Sequence, residues 1–331
     1  MINMKQTSKD RIEFDRYIAN TKGWKGENFF TVEYMQGQIH ESMNKLTSTY
    51  RKRLADTVGI LSDSENAINT DLKLRRSFYT QISFRADEIM DYAIYSRYIN
   101  GNVEDLLNGI FTYGRLSYLG NIVKPFSYSG TDCIHSRDIL ISAAGYDLPM
   151  LQAYLRAIPG PPQKGHLLLK SLETGLYALI SEEAQIKKEA VVILTKAKET
   201  KVLGKWDKAV LSCIIAIITL NREAFSISLH DVLNLHARSS FTRGLLEHIS
   251  FPAHTLYNFA YFAFEKGGLP LPEEPVHKYW DSELWNLVKT SGQKREYIID
   301  IKKESPVLAQ WMDELPTILD FNLLMHSLDR S

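Results

Sequence analysis

Three times in this chain of 331 residues an apolar helix end meets a short polar turn, and a second stretch follows with Leu, Ile or Phe one helical turn apart. The pattern occupies residues 95–111 (YSRYINGNVEDLLNGIF, turning at Asn100-Gly101-Asn102), 140–158 (LISAAGYDLPMLQAYLRAI, turning at 145–149) and 214–233 (IIAIITLNREAFSISLHDVL, turning near 221–223). A helix with an apolar stripe must bury it, and a short turn makes the next helix the nearest cover. The recurrence predicts stacked helical hairpins. Its spacing is irregular, so it fits a loose internal repeat and equally the hairpins that any helical bundle contains.

The remaining segments read the same way. Val32, Met35, Ile39, Met43, Leu46 and Tyr50 step by threes and fours, which predicts a helix within 30–58. Further helices are expected over 72–99, 166–180 and 182–199. Alternating strand patterns are missing; YIIDI at 297–301 is the best strand candidate and is also readable as helix. The fold class is therefore all-α, an irregular stack of helical hairpins resembling a helical-repeat bundle. The strongest breaker, IPGPPQKG at 158–165, separates an N-terminal helical region (1–160) from a C-terminal one (161–331), with one continuous domain as the alternative.

Charge narrows the partners. Lys plus Arg and Asp plus Glu number 39 each. Nucleic-acid binders draw affinity from a basic excess, so direct nucleic-acid binding is not expected, and neither is attachment to an anionic membrane. The most apolar run, 209–220, has twelve residues, against roughly 20 for a spanning helix. Residues 1–17 lack the apolar core of a signal peptide. Cys133 and Cys213 lie far apart and read as two buried thiols, which suits a reducing, cytoplasmic setting.

Local catalytic signatures are missing: no phosphate-binding loop, nucleophile elbow, H-E-x-x-H or paired C-x-x-C occurs. Asp132, Cys133 and His135 (TDCIH) could supply a nucleophile and base, or simply begin a helix. His230 and His236 are six apart, as are His248 and His254. That spacing points each pair to different helix faces, so a metal site would need several elements to converge. Glu173, Glu182, Glu183, Glu189, Glu199 and Glu223 read as solvated helix faces. No cofactor, metal or catalytic residue is assigned.

Two features suit protein binding. Tyr92, Tyr95, Tyr98, Tyr113 and Tyr118 crowd the first hairpin; Tyr95 and Tyr98 are candidate contact residues, although packing between helices is the plainer role for most of the set. The segment GGLPLPEEP (267–275) carries Glu273 and Glu274 on a proline-stiffened loop, either a presented surface or a connector.

The runs ISFPAHTLYNFAYFAFEKGGLPLP (249–272) and AVLSCIIAIITLNREAFSISLHDVLNLHAR (209–238) carry a resemblance. The segment from about Ala143 to Pro275 resembles bacterial immunity proteins of the polymorphic-toxin type, the helical family numbered forty-nine. Where that family carries an acidic residue at the first hairpin turn, this chain has Asn221-Arg222-Glu223. The first 90 residues carry no such likeness. The resemblance implies a cytoplasmic, non-enzymatic protein of bacterial competition that binds the effector domain of a cognate toxin stoichiometrically and occludes its active site. The alternatives are a helical-repeat scaffold for other proteins, and an all-α enzyme with a metal site drawn from His230, His236, His248 and His254.

Overall fold

The computed structural model describes residues 15–20, 22–23, 26, 29–38, 41, 85–122, 136–157, 166–239, 244–290 and 295–316, and every regular element within them is a helix. After helical turns at 15–20 and 32–38 come α1 (Ala86–Tyr95), a π-helical turn (Ser96–Asn100), α2 (Val103–Ile122), α3 (Ser136–Ser142) and α4 (Leu148–Ala157). Then follow α5 (Leu167–Ile180), α6 (Ala184–Glu199), α7 (Lys205–Ile218), α8 (Arg222–Asn234), α9 (Phe251–Lys266), α10 (Ser282–Thr290), α11 (Ile301–Glu304) and α12 (Pro306–Glu314).

Two helices organise the rest. In α2 every residue from Tyr113 to Ile122 is buried, and in α9 the same holds from Phe251 to Tyr261. A helix buried all round needs neighbours on every side. Helix α2 has α1, α3, α4, α10 and α12 packed against it; α9 has α3, α7 and α8. At the α1–α2 crossing, Gly109 faces Ala93, and a Cβ at 109 would overlap the Ala93 Cβ. Gly109→Ala should therefore cost about 1–3 kcal/mol through forced separation of the helices, although alanine is the better helix former by about 1 kcal/mol. An unchanged urea midpoint would show that the crossing opens freely.

The three expected hairpins are present as helix–turn–helix segments. The third is the closest pair: α7 ends with Leu220 in the left-handed region (φ 53°), and the Asn221 side chain accepts from Ala224 N to start α8. The second is not a packed pair in the same sense, because α3 and α4 each lie on α2. The bundle is thus an irregular stack with α2 and α9 threaded through it.

Hydrogen bonds cross the breaker near residue 160. Asn258 of α9 donates to the Ala143 and Ala144 carbonyls, and Thr255 donates to Leu140 O. Arg115 on α2 pairs with Asp147 at 2.8 Å and donates to Met312 O.

Two expectations are corrected. YIIDI is not a strand: residues 297–300 run irregularly and Ile301 opens a short helix. The neighbouring backbone donors are taken by α2 instead, Glu296 N by Asn108 Oδ1 and Ile298 N by Thr112 Oγ1. Glu173 is buried at 1% exposure rather than solvated, because its side of α5 faces the interior; the other five glutamates of that set are exposed.

Candidate functional site

The segment after α9 is held in place by a buried polar network. The π-helical turn adds a residue to the α1 spiral and places Arg97 and Tyr98 beside it. Arg97 binds the Asp281 carboxylate through two nitrogens, at 2.6 and 3.2 Å, and reaches Glu283 at 3.0 Å. The Asp281 side chain is 1% exposed and also accepts from the backbone N–H groups of Glu283 and Leu284, which starts α10. Tyr98 donates to His248 O at 2.8 Å; burial raises its phenol pKa, so the hydroxyl stays a neutral donor. The His254 ring stacks on Trp280 (3.9 Å, 10°), and its Nε2 accepts from Asp281 N. Burial pushes His254 down to about 4, so that nitrogen keeps its lone pair at neutral pH.

This network braces the loop of residues 267–281. Gly268 (φ +65°) turns the chain back, and Leu269 N donates to Phe264 O. Tyr257 then donates to Pro272 O at 2.9 Å, and Trp280 Nε1 to Glu274 at 3.0 Å. The loop also runs beside α8. Leu220 lies where a Gly267 Cβ would point, Arg222 meets Glu273 at 3.5 Å, and the His236 and Tyr279 rings lie 4.5 Å apart. Burial lowers the His277 pKa, and His230 and Lys278 act in the same direction.

Loop and helix together expose an aliphatic surface. Five of the eight large hydrophobic side chains that the described residues leave exposed lie here: Leu220, Ile227, Leu269, Leu271 and Val276. Ile227 (62% exposed) lies on α8 between Arg222 and His230, and Val276 (83%) on the loop between Glu273 and His277. Exposed carboxylates accompany the cluster at Glu223, Asp231, Glu273 and Glu274. A single exposed leucine is ordinary, whereas a gathered set with a polar rim has the anatomy of an interface.

The structure separates the four candidate contact residues. Glu273 and Glu274 lie on the acidic face. Tyr98 lies within the brace. Tyr95 stacks on Phe30 at 4.8 Å, with the Lys22 ammonium over its ring, in packing of the N-terminal segments. Each histidine has its own packing: His230 bonds Asn234, His236 bonds Leu246 O with His248 and His277 near enough to lower its pKa, the His248 carbonyl accepts from Tyr98, and His254 stacks on Trp280. Among the described residues no three His, Cys, Asp or Glu side chains could hold a metal ion. A small crevice beside His236 and Arg137 is walled mainly by apolar side chains, Leu246 and Phe251 among them. TDCIH, with Cys133, falls outside the described residues; Cys213 is a buried free thiol. No helix among the described residues is long and apolar enough to cross a membrane.

Sequence reasoning missed Arg97, Asp281, Ile227 and Val276. Only Ile227 left a trace there, as an aliphatic residue out of phase with the buried positions Phe225, Leu229 and Val232. Comparison with family models, curated proteins and solved structures returns no match.

Proposed function

We propose that the chain is an immunity protein that neutralises a cognate bacterial toxin by direct stoichiometric binding, docking through the acidic face of α8 and the 267–279 loop and occluding the toxin's active site. One observation carries this reading: three exposed aliphatics, Leu269, Leu271 and Val276, sit on a loop already held by three prolines and a buried network, and Leu220 and Ile227 extend the set onto α8 and the turn before it. A surface ordered in advance loses little conformational freedom on docking, so more of its contact energy becomes affinity. The resemblance of residues 143–275 to the immunity family supports the choice of partner.

The test is co-expression of the tagged chain with the toxin encoded beside it, scoring complex formation and growth together. A one-to-one complex with rescued growth is expected. Ile227→Asp and Val276→Asp should each weaken the complex by about 100-fold, the loss typical of a central interface residue, ~2–4 kcal/mol. Both side chains are exposed, so folding stability should stay within about 0.5 kcal/mol. Full rescue by the double variant would remove the acidic face from the proposal, and failure of the unaltered chain to bind or rescue would remove the toxin reading.

A further inference from the structure

The three remaining exposed aliphatics also fall together. Val192 and Ile193 lie on α6, and Val202 (70% exposed) in the turn after it. Their surroundings have the opposite charge. Residues 184–208 hold seven lysines against three carboxylates. None of these lysines takes part in the salt bridges of the described residues. The acidic face, at 219–234 and 267–279, holds four carboxylates against two cations. One of those cations is already engaged, Arg222 by Glu273. Helix α7 packs against both α6 and α8 and separates them, while Lys266, just before the loop, reaches Glu182, just before α6.

One molecule therefore carries an acidic aliphatic surface and a basic aliphatic surface, with α7 between the helices that bear them. We propose that a second copy of the chain docks its basic α6 face on the acidic face of the first, in a head-to-tail contact. Such a contact joins two different patches. It builds rings if the rotation closes and open chains if it does not, and it leaves one acidic face free at the end of every open assembly. Aliphatic side chains supply the contact area, and opposite charge sets the pairing. A copy engaged in this way has its acidic face covered, so self-association and toxin docking exclude each other. The inference does not depend on the toxin's identity, since it concerns the purified chain alone.

Sedimentation velocity on the full-length protein tests it. Weight-average mass is expected to rise with concentration in about 50 mM salt and to return to the monomer near 500 mM, where screening falls below about 5 Å. Val276→Asp, on the acidic face, and Val192→Asp, on α6, should each abolish the rise. Mixed in equal amounts they should form a heterodimer and nothing larger, because each keeps one intact partner surface. A wild-type chain that stays monomeric at every concentration overturns the proposal. So does a mixture that stays monomeric, or either variant self-associating as the wild type does. Loss of rescue in the co-expression experiment leaves all of these outcomes unaffected.

Discussion

Arg97→Ala is expected to destabilise the fold by about 3–5 kcal/mol, the range for removing one partner of a buried ion pair. The asymmetry of the pair is the reason. Arg97 is 12% exposed and Asp281 is 1% exposed, so the substitution leaves a carboxylate out of water with only the N–H groups of Glu283 and Leu284 to meet it. Arg97→Lys keeps the charge and loses the two-pronged geometry, and should cost about 1–2 kcal/mol as the weaker charged hydrogen bond that remains. Urea denaturation measures both. Amide exchange locates the damage: protection should fall first over 267–284, where Asp281 joins the loop to α10. A loss under about 1 kcal/mol for Arg97→Ala would mean that the pair behaves as an exposed one, and the loop would owe its order to its other ties, Tyr257 to Pro272 O and Trp280 to Glu274 among them.

What the sequence discloses and what it hides follow one rule. Local signals survive. The turn at Asn221 is readable because a side-chain cap acts within four residues, and α5 and α6 begin within two residues of their expected starts because breakers flank them. The stiffness of the 267–275 loop is readable from its prolines, which is what singles out Glu273 and Glu274. Signals that need a partner elsewhere do not survive. Arg97 and Asp281 are 184 residues apart, and nothing near either announces the other. Glu173 looks like any helical glutamate until the packing around α5 is known. Periodicity also fails for α2 and α9, since a helix covered on all sides has no polar face to contrast with its apolar one. The acidic face was half legible for the same reason. Its loop has a composition, but the exposure of Ile227 and Val276 depends on how that loop lies along α8.

Acid should weaken the protein well before its carboxylates titrate. His236 and His254 are both about 1% exposed, and burial pushes each down to about 4, against about 6.5 in an unfolded chain. Between those values the unfolded chain binds protons that the native one refuses, so stability rises with pH across the window. The contribution is complete above about pH 6.5 and is lost as pH falls towards 4. At pH 5 the two residues together should remove about 4 kcal/mol, an order-of-magnitude figure from the linkage relation. His277, also lowered by burial, acts in the same direction. Asp138 acts against them. Burial raises its pKa despite hydrogen bonds from Asn121 and Tyr113, so its share of stability is present at low pH and lost as pH rises. Protonation of His254 has a structural consequence as well, because its Nε2 accepts from Asp281 N and would become a donor facing a donor. Urea midpoints between about pH 7.5 and 4.5, for the wild type and for His254→Gln, separate these effects. Glutamine keeps an acceptor and does not titrate, so that variant should start less stable and lose only about half as much stability by pH 5. Equal losses in the two proteins would place the acid sensitivity outside the His254–Trp280–Asp281 brace, whereas a flat wild-type curve would mean that both histidines gain solvent or a counter-charge when protonated.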